Sequence, residues 1–327
     1  MTHPSYSNEN EGPLTNYQRL EFLGDSVLEF IISLKLYILF SSSSEGRLSY
    51  IKTRFVNNEF LSKLAESIDI QKYIIIKDFD FKLSQNTKIQ ADVLESIIGA
   101  IYLEFGLEKV DNSWLDFLFP HIGPTKSLWE NILASSTSEE EEKLDVDIIL
   151  ETPLKFTSEI ENKIGIIFQD KKLLLTAFIH PSYYKKFNNI KGPNYQRLEF
   201  LGDSILELIV TEYLYIAYPS ATEGDLSLCR SRLVNNDILM EKMRERELDQ
   251  YLFHYSPYFT FEGPKLRKAI ADLFESLLAA IYLDKGWLIC KNFALELLSP
   301  STLGFSKHGI KSLDPKSFFQ VTINNRV

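Results

Sequence analysis

The sequence predicts a mostly helical protein made of two copies of one domain. Two observations carry that reading. The eleven residues Asn-Tyr-Gln-Arg-Leu-Glu-Phe-Leu-Gly-Asp-Ser occur at 16–26 and again, unchanged, at 194–204. The segments around each copy place apolar residues at helical spacing, whereas strand signals are weak. The repeat reaches well beyond eleven residues. His3-Pro4-Ser5-Tyr6 matches His180-Pro181-Ser182-Tyr183, Glu45-Gly46 matches Glu223-Gly224, and Ala100-Ile101-Tyr102-Leu103 matches Ala280-Ile281-Tyr282-Leu283. The offset drifts only from 177 to 180, so each copy is one fold of about 120–140 residues.

In chain order, Leu20 to Phe40 carries apolar residues on several faces, as a helix through a domain centre does. Ser44 to Glu66 alternates apolar and charged residues at helical spacing and reads as a second helix. Tyr73 to Ile76 is a short, isolated β-branched run. Ile89 to Leu103 is a third helix, whose Gly99 and Ala100 permit close helix contact. Residues 134–145 combine Ser and Thr with four consecutive glutamates, the make-up of a charged linker. Glu159 to Ile179 reads as a helix ahead of the second His-Pro-Ser-Tyr. The first copy has no counterpart to it, which suggests a chain cut from a longer protein. The second copy then repeats all three helices. Asn57 and Asn235 read as helix caps, with contact to the site as the other reading.

A length of 327 residues suits two domains, and 45% hydrophobic with 13% aromatic residues is enough to build cores. Cys229 and Cys290 form no disulfide framework and no metal-type spacing. That fits a reducing, intracellular setting, cytoplasm or nucleus. The best apolar run, Val27 to Phe40, is too short for a membrane span and contains Glu29 and Lys35. The N-terminus shows no basic stretch followed by an apolar one, so no signal peptide is read. The net charge of −10 is uneven. Residues 126–160 carry 3 Lys/Arg against 9 Asp/Glu, whereas residues 161–327 carry 21 against 19. Bulk charge therefore neither supports nor excludes a nucleic-acid partner.

The acids carry the chemistry. Glu21 and Asp25 stand four apart, Asp92 and Glu95 three apart, so each pair projects from one helix face. Two such helices face to face gather four carboxylates. Uncompensated, that cluster is costly, because like charge and burial both oppose ionisation. A divalent cation removes the cost. Mg2+ takes octahedral oxygen ligands and keeps waters, which suits phosphodiester hydrolysis. One pair alone is ordinarily a solvated face. Here both pairs are framed by apolar neighbours, and all four acids recur as Glu199, Asp203, Asp272 and Glu275.

Leu-Glu-Phe-Leu-Gly-Asp-Ser, with Ala-Asp-x-x-Glu-Ser and Ala-Ile-Tyr-Leu downstream, resembles the ribonuclease III family. The resemblance covers most of residues 1–120 and 161–300. It implies an all-α fold: two tandem ribonuclease III-type helical domains forming an intramolecular pseudo-dimer, as in the catalytic half of a Dicer-like enzyme. A homodimer of two chains is the other arrangement. It also implies that Glu21, Asp25, Asp92, Glu95, Glu199, Asp203, Asp272 and Glu275 are the catalytic and metal-binding acids, with Mg2+ or Mn2+ as cofactor. The implied substrate is double-stranded RNA, cut on both strands to short duplexes with 3′ overhangs, as in small-RNA production. The alternatives are maturation of ribosomal or messenger RNA, and a non-catalytic RNA-binding scaffold. Phe22 and Phe200 stand where the family inserts an aromatic across the dimer seam; ordinary core burial is the other reading. Gln18 and Gln196 depart from the family, many members of which carry an acid there.

The resulting division is a first domain at 1–125 without its N-terminal helix, an acidic linker at 126–158, a second domain at 159–300 and a tail at 301–327. The tail's Asp314 to Gln320 resembles the opening of a double-stranded RNA-binding domain. Upstream domains or an accessory RNA-binding protein are the implied partners. Lys52, Arg54 and Lys88 match Arg230, Arg232 and Lys268, and read as phosphate contacts or, more plainly, as solvated helix faces. Glu45 and Glu223 resemble a further family acid near the dimer interface. His3 and His180 read as structural residues ahead of a helix rather than as acid–base groups.

Overall fold

Each repeat starts its long helix with the same device. Asn16 Oδ1 accepts the Gln18 amide at 3.0 Å, and Asn194 Oδ1 accepts the Gln196 amide at 3.1 Å. The computed structural model describes residues 1–6, 16–76, 86–107, 153–187, 192–255, 257 and 263–298. The first repeat gives α1 (Gln18–Leu39), α2 (Glu45–Phe55), α3 (Asn58–Ser67) and α4 (Thr87–Phe105). Then come α5 (Thr157–Ile164) and α6 (Lys171–Ala177), followed by the second repeat as α7 (Gln196–Ala217), α8 (Glu223–Leu233), α9 (Asn236–Glu245) and α10 (Pro264–Lys285). Helix α11 (Trp287–Leu298) closes the described chain. No strand occurs among the described residues. The run at Tyr73 to Ile76 supplies one bridge, Ile75 to Thr2, mirrored by Phe253 to Ile179. The linker expected at 126–158 and the tail at 301–327 lie largely or wholly outside the described residues.

Two segments differ from the sequence reading. Ser44 to Glu66 is two helices, because Asn57 interrupts it. The Asn57 side chain accepts the Phe60 amide at 2.9 Å and donates to the Thr53 and Arg54 carbonyls at 2.9 and 3.0 Å. One side chain thus satisfies the end of α2 and the start of α3 together. Glu159 to Ile179 also splits: Gly165 ends α5 in the left-handed region at φ 72°, and Asp170 caps α6.

Helices α1 and α7 are buried on nearly every face and form the centre of their repeats. Fully buried side chains such as Leu23, Phe30, Leu201 and Leu214 each contribute about 1.5–3 kcal/mol. Helix α1 crosses α4 at Gly24, where an added Cβ would lie 1.8 Å from the Glu95 carbonyl oxygen. Gly202 makes the same approach to the Glu275 carbonyl, also 1.8 Å. Gly99 lets Leu20 in from the other side, at 2.4 Å; Ala100 is exposed and plays no part.

The two repeats then pack on each other through α1 and α7. The contact is isologous, as in a two-fold dimer. Arg19 donates to the carbonyls of Tyr215, Tyr218 and Ala221 at the end of α7, and Arg197 donates to those of Tyr37, Phe40 and Ser43 at the end of α1. Each guanidinium also lies 4.8 Å from a tyrosine ring of the opposite repeat, Tyr215 or Tyr37. Cations at helix C-termini are favoured by the helix dipole. One apolar core runs through both repeats, with Phe30 of the first against Tyr282 and Trp287 of the second, each at 5.5 Å.

Candidate metal centres

Glu21 leaves the first turn of α1, and Asp92 and Glu95 leave the middle of α4. The close helix crossing at Gly24 brings them together. Each offers a carboxylate oxygen within 4.8 Å of the other two. Glu199, Asp272 and Glu275 repeat the arrangement. The fourth acids of the expected quartets, Asp25 and Asp203, lie one turn along α1 and α7 and are not among the acids that meet within 4.8 Å. After burial, Asp25 is the largest influence on Glu95, and Asp203 on Glu275.

The electrostatics are those of acids short of counter-charge. Burial first, then Asp25 and its neighbours, push Glu95 up to about 9. Burial and Asp92 push Glu21 up to about 7; burial and Glu29 push Asp25 up to about 6, against Arg230 and Lys52. In the second cluster, burial and Asp272 push Glu199 up to about 7, and burial raises Asp203, Asp272 and Glu275 as well. An oxygen-only donor set with raised carboxyls fits a hard divalent cation, which would restore the ionised form of each acid.

Lysines partly fill that role. Lys88 Nζ lies 2.8 Å from Asp92 and 3.9 Å from Glu21. Lys268 Nζ lies 2.7 Å from Asp272 and 3.2 Å from Glu199. The bond to Asp92 holds Lys88 above its usual range; for Lys268 the acids outweigh a burial effect of opposite sign. Tyr195 adds a donor to Asp272 at 3.3 Å and packs against His180. The His180 and His3 rings are turned into their own loops, each bound to a serine two residues on. Burial lowers both histidines.

The first cluster opens into a cavity of about 350 Å3, lined by His3, Gln18, Glu21, Lys88 and Asp92 and by Glu223 of the second repeat. Glu223 raises Glu21, and Glu45 of the first repeat raises Glu199. Each cluster therefore feels an acid from the opposite repeat.

The six cations singled out in the sequence fall into three places. Arg54 and Arg232 are exposed on the outer faces of α2 and α8, and Arg54 lies 4.9 Å from the Tyr50 ring. Lys88 and Lys268 have exposed stems but ammonium groups among the acids. Lys52 and Arg230 are 16% and 19% exposed and turn into the seam, against the Phe200 ring at 5.7 Å and the Phe22 ring at 5.0 Å. Both phenylalanines are buried there. The sequence reading missed Arg19 and Arg197 altogether, although both belong to the eleven repeated residues.

Among the described residues no helix is long and apolar enough to cross a membrane, and Cys229 and Cys290 are free and buried. The sequence pattern of the family described as Ribonuclease-III-like matches residues 1–122 and 170–301. The mouse protein named Ribonuclease 3 is 36% identical over 286 residues, which are 86% of this chain and 20% of that protein. Protein Dicer of Schizosaccharomyces pombe (strain 972) is 30% identical over 345 residues, 90% of this chain and 24% of that one. The chain thus spans about a fifth to a quarter of the length of these relatives. The crystal structure of Dicer from Giardia intestinalis superposes with a TM-score of 0.60 at 18% identity, covering 87% of this chain and 54% of the other, a likeness of fold. With two intact acid clusters set in two matched helical repeats, the chain belongs to the ribonuclease-III-like family.

Proposed function

We propose that this chain is a metal-dependent endoribonuclease that cuts both strands of double-stranded RNA, one at each acid cluster, releasing short duplexes with 3′ overhangs for small-RNA production. One observation carries the reading: two carboxylate clusters stand on either side of a single isologous seam. The strands of a duplex are antiparallel and related by local two-fold axes. Two centres related in the same way therefore meet the two strands in the same chemical orientation. The relatives named Ribonuclease 3 and Dicer support the same substrate class.

In this reading Glu21, Asp25, Asp92 and Glu95 hold Mg2+ in the first domain, and Glu199, Asp203, Asp272 and Glu275 hold it in the second, with Mn2+ as a substitute. Bound there, the metal would supply a water of lowered pKa for attack on the phosphodiester and charge stabilisation for the leaving oxygen. The chain's own residues orient the acids: Gly24 and Gly202 fix the distance between helices, and Tyr195 and Lys268 hold Asp272. The exposed Arg54 and Arg232, with Lys88 and Lys268, are assigned to phosphate contacts, which set affinity without reading sequence.

The test uses duplex RNA end-labelled on either strand, incubated with Mg2+ and then with chelator. Both strands are cut with metal and neither without it. Glu95→Gln removes one cut and Glu275→Gln the other; loss of both cuts in either single variant would refute independent centres. Product sizing distinguishes small-RNA production from maturation of ribosomal or messenger RNA. A protein that binds the duplex and leaves it whole is a scaffold.

A further inference from the structure

We propose that Arg230, a residue of the second domain, is a positioning residue for Asp25 of the first, so that the first centre is completed across the seam. The inference rests on the function proposed above and concerns how that centre is held.

Helix α8 carries Arg230 and packs against α1 of the opposite repeat. The guanidinium is fixed by several contacts at once. Nη1 donates to Ser26 Oγ at 2.8 Å and to Thr211 Oγ1 at 3.3 Å, and those hydroxyls, one from each repeat, are themselves 2.9 Å apart and buried. The Phe22 ring lies 5.0 Å away. From that seat Nη1 stands 4.0 Å from Asp25 Oδ2. Ser26 is the residue next to Asp25, so the guanidinium grips both the helix and the carboxylate it carries. All three contacts come from the one nitrogen Nη1. The charge opposes the effects of burial and of Glu29 on Asp25.

The counterpart differs. Lys52 Nζ pairs with Glu29 of its own repeat at 3.2 Å and lies over the Phe200 ring. Ser33, which stands where Thr211 stands, is buried with no hydrogen-bond partner. The hydroxyl pair that seats Arg230 is therefore absent on the Lys52 side, although Lys52 and, after it, Arg230 also oppose the effect of burial on Asp203; the two centres differ in how the cation is anchored. The consequence is directional: a change made in the second domain disables the cut made by the first.

The test uses the full chain with Arg230→Met and Arg230→Lys, and duplex RNA labelled on each strand. The first-domain cut, identified as the one that Glu95→Gln removes, falls about 10–100-fold in Arg230→Met, the usual cost of losing a partner that orients a ligand. The second-domain cut falls clearly less, because Arg230 ranks behind Lys52 at Asp203, and Arg230→Lys recovers part of the first. A second readout needs no cleavage: Mn2+ binding to RNA-free protein, followed by electron paramagnetic resonance, weakens clearly more at the first centre than at the second. Equal loss of both cuts, an unchanged first cut, or tighter Mn2+ binding at the first centre overturns the proposal. Tighter binding would mean that Arg230 merely competes with the ion. If Arg230→Met unfolds, Ser26→Ala removes only the hydroxyl that seats the guanidinium and carries the same expectation with a smaller loss. If the unaltered chain cuts neither strand, the proposed function fails, and the Mn2+ comparison still decides the role of Arg230.

Discussion

Gly24→Ala adds one methyl group where there is no room for it. The new Cβ would lie 1.8 Å from the Glu95 oxygen, 2.6 Å from its carbonyl carbon and 2.9 Å from the Gly99 nitrogen. All three are backbone atoms of α4, so no side chain can swing away. Cβ contacts essentially never fall under 3.0 Å, so α1 and α4 must part by at least about 1.2 Å at this point. Overpacking of this kind costs roughly 3 kcal/mol, the upper end of its usual range. At about 2.1 cal/mol/K of unfolding entropy per residue, that is a fall in Tm of about 4 °C for a chain of 327 residues. The site loses more than the fold does. Glu95 moves with its own carbonyl, and a displacement of about 1 Å at a reacting centre costs about 100-fold in rate. Calorimetry and strand-specific cleavage read the two effects separately. Gly46→Ala is the control, because nothing lies within 4 Å of its added methyl; it leaves the cut unchanged. A Gly24→Ala protein that melts within a degree of the parent and retains its first cut would refute the reasoning that the glycine sets the metal-holding distance.

Two further outcomes follow from the same geometry. Metal-free protein loses stability as pH rises: the carboxyls of Glu21, Glu199 and Glu95, raised to about 7, 7 and 9, favour the folded state while protonated, so their contribution is full below the ordinary value of 4.5 and is lost as pH passes 7 and then 9. Calorimetry from pH 5 to pH 9 should show a steeper fall of Tm in chelator than in saturating Mg2+; equal slopes would mean that the clusters hold no ion. Arg19→Met frees three carbonyls at the end of α7 and costs about 2–4 kcal/mol in urea unfolding, since a bond to a charged group contributes about 1.5–3 kcal/mol net and three bonds from one guanidinium do not add; a cost under about 0.5 kcal/mol would remove Arg19 from the seam's account.

The acids were legible because chemistry and periodicity coincide in them. Glu21 and Asp25 repeat four residues apart, and helical spacing alone puts them on one face, although only Glu21 of that pair joins Asp92 and Glu95 within 4.8 Å. The helix break at Asn57 was less so: Ser44 to Glu66 keeps a helical apolar pattern through it, and only the side-chain bonds of one asparagine divide the run. The identity of the seam cations was hidden for a different reason. Lys52 and Arg230 look, in sequence, like any cation on an amphipathic helix. Whether that face meets solvent or the opposite repeat depends on contacts between segments about 150 to 200 residues apart, which local pattern does not encode. Arg19 was hidden further still, because its acceptors are backbone oxygens, present at every residue and visible in no side-chain signature.

That last point bears on how the halves tolerate change. The clasp from each arginine closes on main-chain oxygens, so the side chains at 218 and 221, or at 40 and 43, can drift without losing those bonds, whereas Tyr215 and Tyr37 also meet the guanidinium with their rings. Vulnerability is concentrated instead in two codons, 19 and 197, and in whatever shortens the helix ends they grip. Paralogous halves can in this way diverge in surface and charge while their mutual alignment stays put.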